Sequence, residues 1–472
     1  MNNQGLSAAS TGWKKSVLWL ILAVACFHGA YTSIKYPAAG LLIFGYAFFL
    51  VRLADQTTVR RAFYFGLATG FLCYAPQLFF FWTIFKAAAI VLWLILAFWI
   101  GLFAAIVCSS IRRWGKLKTT WLIPVVWTGI EYFRSELYYL KFSWLNIGYV
   151  FHIPMLGMYG NGFLVFSLVP AYLLIRQTKA SLAKVLSIVA GVVVIVAMLL
   201  PGLAVAWVKR QVAKPLHIVG VQLEFPPAGI LPKVLDHALA KHPEGQIFVL
   251  SEYTLEGGIP DSLRNWCRDH NRYLVVGGKD IVTNHIYYNT AFVIGTNGDT
   301  VFKQVKCTPI QFFDDGLPAP SQQVWNSPWG KIGICICYDL SYTRVTDELV
   351  RQGAQLLIVP TMDVTEWGRH QHELHSRVAP VRAAEYGIPI FRLASSGISQ
   401  AVNGQGDVVA QTAFGKEDEI LYATLRLPSY NKLPPDRFLA PLCTGITAAL
   451  TLVLLVLNWK DQRKAWQSAC ST

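Results

Sequence analysis

Charged residues are scarce in this 472-residue chain. Asp, Glu, Lys and Arg make up 14% of the residues, while hydrophobic types make up 54%. That balance excludes an ordinary soluble protein and favours a membrane protein. The net charge of +14 does not indicate nucleic-acid binding, because the basic residues occur in short clusters between apolar stretches, a pattern typical of membrane topology signals.

Metal-binding patterns are also missing from the sequence. The nine cysteines show no zinc-type spacing and no disulfide framework. The stretch RHQHELH contains His370, His372 and His375, but no Cys or carboxylate ligand set converges on it, so a polar helix start is favoured over a metal site. We therefore expect neither a metal nor another cofactor.

Long apolar runs occupy the first part of the chain and recur near its end. A helix needs about 20 apolar residues to cross a bilayer, and eight candidate spans follow: 16–34, 36–53, 62–82, 87–109, 119–133, 154–175, 182–208 and 438–458. The first lacks a small-residue cleavage pattern, so no cleavable signal peptide is expected. No ionisable residues cluster in the middle of the spans, which disfavours a transporter.

The basic residues predict how these spans are oriented. Lys and Arg concentrate in one alternate set of flanking segments, for example at Arg112 and Arg113, and are sparse in the other set. Because positive charge favours the cytoplasmic side, we expect both termini in the cytoplasm. The predicted organisation is a transmembrane domain of seven spans at 1–208, an extracytoplasmic domain at 209–437, and a C-terminal span with a cytoplasmic tail at 438–472.

The polar region from about 209 to 437 has the pattern of an α/β domain. Short apolar runs predict buried strands at 217–223, 246–252, 273–278, 287–295, 331–337, 354–360 and 388–395. Helical patterns fall between some of them, as at 344–353 and 370–386, and GTNGD at 295–299 predicts a turn between strands. Continuous apolar strands alternating with helices indicate a sheet covered on one face by helices.

Two cysteines end one of the predicted strands, in GICICYDLSY. Cys335 and Cys337 point to the same face of a strand, so alternation does not separate them. Cys335 lies inside the apolar run, whereas Cys337 stands where the run ends, and reactive groups of α/β sheets gather at strand ends. A sharp turn there would expose the sulfur and offer the Tyr338 backbone N–H to an oxyanion.

Two further polar residues stand near strand ends. Glu252 follows IFVLS and could act as a general base. Lys306, in VFKQVKCTPIQFFDDG, could stabilise a thiolate or an oxyanion, with Lys303 as a competing choice. Each of these residues alone is more often structural than catalytic, so only their combination indicates a catalytic site.

Glu, Lys and Cys in this order, each near a strand end, resemble the nitrilase superfamily. SEY, the lysine-containing segment and CYD match its three signature regions, and the surrounding spans narrow the resemblance to the apolipoprotein N-acyltransferases of the bacterial inner membrane. EYFRSELYYLKFSWLNIGYV at 131–150 and HSRVAPVRAAEYGIPIFRLASSGIS at 375–399 are similar to further segments of that family. The resemblance implies a four-layer αββα sandwich beside a helical transmembrane bundle.

The resemblance also implies residue roles. Glu252 would be the base, Lys306 the catalytic lysine and Cys337 the nucleophile. Spacing from the family's Pro-Phe-Gly-Glu-like stretch favours Lys306 over Lys303 and makes Asp314 the second acid. Further positions match by motif: Tyr338 and Asp339 beside the nucleophile, and Trp367, Gly368, Trp144 and Arg134 as substrate contacts. Gln311 stands where the family has its proline, and MDVTEWG replaces its Asn-Asp-x-Trp-Phe-Gly.

The implied activity is transfer of an acyl chain from a phospholipid, through a cysteine thioester, to the α-amine of a diacylglyceryl-cysteine on an apolipoprotein. The protein would be a multi-pass monomer of the bacterial inner membrane with a periplasmic catalytic domain. Two alternatives stay open. A membrane-tethered nitrilase-type amidase would use water in place of the amine, and a binding protein would keep the fold without catalysis, although the intact Glu, Lys and Cys argue against the latter.

Overall fold

The computed structural model describes residues 12–34, 36–178, 215–283, 286–415, 418–429 and 431–470. These residues form two compact units. The first contains the described residues up to Tyr139, those from Leu145 to Thr178, and those from Pro435 onward. The second contains the segment Leu140–Trp144 and the described residues between Pro215 and Pro434.

The first unit is helical. Its helices are α1 (Trp13–Ala30), α2 (Leu42–Ala54), α3 (Val59–Gln77), α4 (Phe80–Phe85), α5 (Ala88–Trp114), α6 (Lys116–Thr119), α7 (Ile123–Tyr132), α8 (Gly157–Thr178) and, at the other end of the chain, α14 (Asp436–Cys470). Small residues let α3 and α5 approach closely. A Cβ atom added at Gly66 would lie 2.8 Å from the carbonyl oxygen of Ile100, and one at Gly70 would lie 2.8 Å from the Cα of Ala97.

The prediction of about eight spans is not confirmed. Within the described residues, four helical segments are long and apolar enough to cross a membrane: Trp13–Ser33, Pro37–Ala54, Ala88–Trp114 and Asp436–Ser468. The predicted span at 119–133 contains only the 10-residue helix α7, and that at 154–175 contains the shorter apolar segment Pro154–Val169. The predicted span at 62–82 corresponds to α3, which contains Pro76 and is less apolar, and the one at 182–208 lies outside the described residues.

The second unit contains two six-stranded sheets. The first has the order β12-β1-β2-β3-β4-β5 and the second β11-β10-β9-β8-β7-β6. The strands are β1 (Pro215–Val221), β2 (Ile247–Leu250), β3 (Tyr273–Thr283), β4 (Ile286–Ile294), β5 (Thr300–Val305), β6 (Val324–Ser327), β7 (Gly330–Ile334), β8 (Leu356–Thr361), β9 (Ile390–Ala394), β10 (Gln400–Val402), β11 (Val408–Gln411) and β12 (Ile420–Arg426).

Each sheet has three parallel strands at its centre and antiparallel strands outside them. The parallel strands are β1, β2 and β3 in one sheet and β7, β8 and β9 in the other. β2, β8 and β9 are wholly buried, and β1, β7 and the first half of β3 are mostly buried, as expected for parallel strands covered on both faces. The sheets pack face to face, since a Cβ atom added at Gly220 on β1 would lie 2.5 Å from Leu393 on β9.

Helices cover the outer faces and complete an αββα sandwich of the nitrilase type. They are α9 (Leu231–Lys241), α10 (Asp261–His270), α11 (Thr343–Arg351), α12 (Arg369–Ser376) and α13 (Val378–Tyr386). Leu235 and Leu263 belong to the core between α9, α10 and the first sheet. The predicted helices at 344–353 and 370–386 and the turn at 295–299 are confirmed.

Candidate active site

Cys337 occupies a strained turn at the end of β7. It opens a 3₁₀-helix, Cys337–Ser341, and has a backbone φ of 51°. A residue other than glycine in this left-handed region is strained and is held there by its surroundings, a feature that clusters at functional sites. Cys335 is fully buried within the run that precedes the turn. The geometry therefore favours Cys337 as the nucleophile.

Glu252 and Lys306 meet in the interior of the domain. Glu252 lies two residues beyond β2, and Lys306 follows the last residue of β5. The Lys306 ammonium donates to Glu252 Oε1 at 2.9 Å, and both side chains are about 1% exposed. The competing Lys303 instead pairs with Asp280 near the surface, at 2.8 Å. This placement and the spacing within the sequence both favour Lys306 over Lys303 as the lysine of the site.

The second acid beside Lys306 is Asp315, which corrects the expectation for Asp314. Asp315 Oδ2 lies 2.7 Å from the Lys306 ammonium, and its carboxylate also accepts from the Tyr253 hydroxyl and the Ile310 backbone N–H, each at 2.7 Å. Asp314 is exposed, and its backbone carbonyl accepts from the Tyr287 hydroxyl. A count by motif missed the acid by one residue because this loop departs from the family pattern.

Asn289 on β4 connects the two carboxylates. Its Nδ2 donates to Glu252 Oε1 at 2.7 Å and to Asp315 Oδ1 at 2.8 Å. One ammonium and one amide therefore hold two carboxylates that would otherwise repel each other. Sequence reasoning missed Asn289, although an asparagine in an otherwise apolar buried strand is a signal that could have identified it.

The backbone of Met362, just beyond β8, touches both Glu252 and Cys337. Its N–H donates to Glu252 Oε2 at 2.7 Å, and its carbonyl accepts from the Cys337 thiol at 3.7 Å. Met362 thus aligns Oε2 of Glu252, the oxygen that Lys306 and Asn289 do not bind, with the Cys337 sulfur. Four strand ends, from both sheets, supply Glu252, Lys306, Cys337 and Met362, whereas Asn289 lies within β4 and Asp315 in the loop after β5.

The pKa values in the site are perturbed by burial and by the neighbouring charges. Burial raises the pKa of Cys337 well above its usual value; Glu252 raises it further and Lys306 lowers it. Burial likewise raises the pKa of Glu252, against the opposing effect of Lys306. Burial lowers the pKa of Lys306, but the charges of Glu252 and Asp315 outweigh this and leave it raised well above its usual value. The site thus places a thiol and a carboxyl group, both with raised pKa values, beside a lysine whose ammonium form is favoured.

Asp339 joins the lysine segment to the turn at Cys337. Its carboxylate accepts backbone N–H groups from Cys307 at 3.0 Å, Thr308 at 2.7 Å and Ile336 at 3.3 Å. Burial raises the pKa of Asp339 to about 6, although the three N–H donors oppose the shift. Asp339 is therefore placed to position Lys306 and Cys337 relative to each other.

A second buried charge network lies beside the site. Asp363 Oδ1 accepts from His375 Nδ1 at 2.8 Å, and Arg392 donates to Asp363 Oδ2. Burial raises the pKa of Asp363, but the hydrogen bond from His375 and the positive charge of Arg392 outweigh it and leave the pKa strongly lowered. Burial lowers the pKa of His375 to about 4, so its ring is neutral and donates from Nδ1. The described residues contain no group of three or more His, Cys, Asp or Glu that could hold a metal.

The four residues expected to contact substrate lie in different places. Trp367 is partly buried, and its ring centroid lies 6.2 Å from that of Phe313; Gly368 has a φ of 84° and precedes α12. Trp144 is buried within the catalytic unit. Arg134 belongs to the helical unit, where it donates to Asn146 Oδ1 at 2.8 Å.

Comparison with known proteins finds relatives for both units. Residues 221–434 match the carbon-nitrogen hydrolase family, and residues 21–168 match the apolipoprotein N-acyltransferase N-terminal domain. An apolipoprotein N-acyltransferase of Geobacter metallireducens is 22% identical over 86% of this chain and 89% of its own length. A deaminated glutathione amidase of Dictyostelium discoideum is 26% identical over 33% of this chain and 60% of its own.

Among solved structures, a carbon-nitrogen hydrolase from Helicobacter pylori G27 aligns with 45% of this chain and 89% of its own, at 18% identity and a TM-score of 0.40. The amidase relative matches only a third of the chain. The Geobacter relative spans most of it, and the two matching domains occur here in one chain. The chain therefore belongs to the apolipoprotein N-acyltransferase family.

Proposed function

We propose that this protein moves an acyl chain from a membrane phospholipid to the α-amine of the diacylglyceryl-cysteine of apolipoproteins, through a thioester on Cys337. The observation that carries the proposal is the buried cluster of Glu252, Lys306 and Asp315 beside a cysteine in a strained turn. A base, a cation and a nucleophile arranged in this way are suited to covalent acyl transfer. Membership of an N-acyltransferase family supplies the acceptor class.

The first half-reaction forms the thioester. Glu252 takes the thiol proton of Cys337, and the sulfur attacks the carbonyl carbon of a phospholipid ester. Lys306 and the Tyr338 backbone N–H stabilise the tetrahedral oxyanion. The carbon–oxygen bond then breaks, and the proton on Glu252 passes to the leaving alkoxide. A lysophospholipid departs, and the acyl group remains on the sulfur.

The second half-reaction transfers the acyl group to the amine. The neutral α-amine of the lipidated cysteine attacks the thioester carbon and passes a proton to Glu252. The carbon–sulfur bond breaks, and the departing thiolate takes the proton back from Glu252. The product is an amide, and the cysteine returns to its starting state. Lys306 keeps the pKa of Asp315 low despite burial, so Asp315 stays ionised in both half-reactions.

The membrane location of the substrates fits a membrane-embedded enzyme. Both substrates carry acyl chains that remain in the bilayer, and the chain has apolar helices of membrane-crossing length. We place the protein in the bacterial inner membrane as a monomer, with both termini cytoplasmic, residues 209–437 in the periplasm, and membrane segments within 1–208 and 438–472. Fluorescent-protein fusions at the C-terminus should fluoresce, and alkaline phosphatase fusions there should be inactive. The opposite result would contradict this topology.

The activity can be tested by intact mass measurement of the purified protein after incubation with phospholipid alone. An adduct of acyl mass, labile to hydroxylamine, is expected on the native protein and on Cys335→Ala, and is expected to be absent from Cys337→Ala. Addition of a diacylglyceryl-cysteine peptide should then clear the adduct and yield an N-acylated peptide. Absence of any adduct with several lipids would contradict the proposal.

A hydrolase is the second candidate, because the same domain matches an amidase. Water would then take the place of the amine in the second half-reaction. The two functions are separated by the product. Free fatty acid, formed at the same rate with and without the lipidated peptide, would identify a hydrolase, whereas an amide product formed in preference to free acid supports acyl transfer.

A further inference from the structure

A short segment that lies far from the catalytic residues in sequence packs against the nucleophile turn. Leu140–Trp144, here called the strap, belongs to the same compact unit as the two sheets. Phe142, Ser143 and Trp144 are buried in that unit. The strap contributes none of the reacting groups, so a role for it must come from the contacts that it makes beside the site.

The backbone of the strap holds the residue that follows the nucleophile. The hydroxyls of Tyr338 and Tyr342 both donate to the carbonyl of Lys141, at 3.1 and 3.3 Å. The Lys141 ammonium lies 5.4 Å from the centre of the Tyr342 ring. The edge of Tyr338 also packs against Trp144, with ring centroids 5.8 Å apart and planes at 81°. The side chain of Tyr338 is thus fixed on two sides by the strap.

The strap also holds the end of the 3₁₀-helix. The Trp144 indole N–H donates to Ser341 Oγ at 2.9 Å, and the Ser143 hydroxyl donates to the Ser341 carbonyl at 3.4 Å. Arg382 on α13 donates to the same carbonyl at 2.9 Å. The five-residue helix that begins with Cys337 is therefore anchored at its far end from two directions.

The face of the Trp144 indole contacts the second charge network. It stacks on His375 with ring centroids 4.5 Å apart and planes at 19°. His375 in turn binds Asp363, which follows Met362 in the chain. Because the Met362 backbone contacts both Glu252 and Cys337, one indole ring connects the helix after the nucleophile to the peptide that aligns the base.

We propose that the strap is a positioning element for the nucleophile and that Trp144 is its principal positioning residue. The ring keeps the Cys337 sulfur, the Met362 peptide and Glu252 aligned for proton transfer. This assignment replaces the expectation that Trp144 contacts substrate, because the buried indole is already engaged by Ser341 and His375. The predicted effect on acylation rests on the proposed function, whereas the effect on thiol reactivity does not.

The test compares Trp144→Ala with Trp144→Phe, which keeps a smaller aromatic ring at this position and loses the N–H donor together with part of the indole surface. Single-turnover thioester formation is measured over a range of phospholipid concentrations. A misplacement of about 1 Å can cost about 100-fold in rate, so Trp144→Ala should lower the maximal acylation rate by about 10- to 100-fold. The half-saturating lipid concentration should not change, and Trp144→Phe should stay within about fivefold of the native rate.

An increased half-saturating lipid concentration with an unchanged maximal rate would overturn the proposal and make Trp144 a substrate contact. If Trp144→Ala does not fold, Trp144→Phe and Ser341→Ala carry the test, since each removes one partner of the same hydrogen bond. Each should lower the maximal rate about two- to fivefold, as the loss of one modest hydrogen bond does. Unchanged maximal rates in both would overturn the proposal.

Alkylation of Cys337 without lipid separates failure of this proposal from failure of the proposed function. The rate is followed at Cys337 by peptide mass, so that modification of other cysteines does not contribute. Trp144→Ala should be alkylated about tenfold more slowly than the native protein, because the base is no longer aligned with the thiol. Equal or faster alkylation would overturn the role of the strap even if no thioester is detected on the native protein.

Discussion

Replacement of Asp315 by Asn should impair acylation far more than replacement of its sequence neighbour Asp314. Asp315 and Glu252 both bind the Lys306 ammonium and the Asn289 amide, so their carboxylates are no more than two hydrogen-bond lengths apart. At that separation two unit charges interact by about 3 kcal/mol at an effective dielectric constant of 20. This corresponds to about 2 pKa units.

The direction of the effect follows from the sign of the charge. The negative charge of Asp315 raises the pKa of Glu252, so Asp315→Asn should lower that pKa. The acid limb of the acylation rate should move to lower pH by about 2 units or less. A weaker base removes the thiol proton more slowly, which with a Brønsted dependence costs about 10-fold. Loss of one partner of Lys306 adds to this, and a total decrease of about 100-fold is expected near neutral pH.

The assay is the pH dependence of single-turnover thioester formation, with Asp314→Asn as the matched control. Asp314 is exposed, so its variant should stay within about twofold of the native rate, as surface substitutions usually do. A thermal unfolding curve for each variant separates lost activity from lost fold. An acid limb that moves to higher pH, or a larger loss in Asp314→Asn, would refute the reasoning.

Three further variants test the rest of the site. Asn289→Ala should raise the pKa of Glu252, because it removes a donor to the ionised form, and the acid limb should move to higher pH; an unmoved limb would contradict the bridging role. Asp339→Asn should reduce acylation at least 10-fold and destabilise the fold by about 1–3 kcal/mol, measured by denaturant unfolding, because an amide group would face a backbone N–H. Cys335→Ser should form the thioester at close to the native rate, and loss of the adduct there would transfer the nucleophile's role to Cys335.

The parallel strands and the strand-end residues could be predicted from the sequence because their signals are local. A buried parallel strand is a continuous apolar run, and Glu252 and Cys337 mark where two such runs end. The outer strands β6, β10 and β11 were missed because they are short and each includes polar residues, and β5 and β12 because they alternate polar with apolar residues and are half exposed. Such strands depend on pairing with a neighbour rather than on their own composition.

Contacts between segments that are distant in the chain could not be predicted from local sequence patterns. Asp314 and Asp315 are chemically equivalent in sequence, and only the fold of their loop decides which carboxylate reaches Lys306. The sequence pattern places His375 in a polar helix start. In the structure it is buried between Asp363 and Trp144, which are more than two hundred residues apart in the chain. The predicted span at 119–133 has an apolar composition, but within it the structure forms only the 10-residue helix α7.

The pairing of β1 with β12 has a consequence for biosynthesis. These strands are joined along their whole length, from Pro215 opposite Arg426 to Val221 opposite Ile420, although about two hundred residues separate them in the chain. During translation β1 emerges early and its edge stays unpaired until β12 follows, and an unpaired edge is open to aggregation. The first sheet gains its last strand, β12, only when nearly the whole catalytic domain has been synthesised. A nascent chain released before Ile420 should therefore be a target for chaperones and proteases rather than a partly active enzyme.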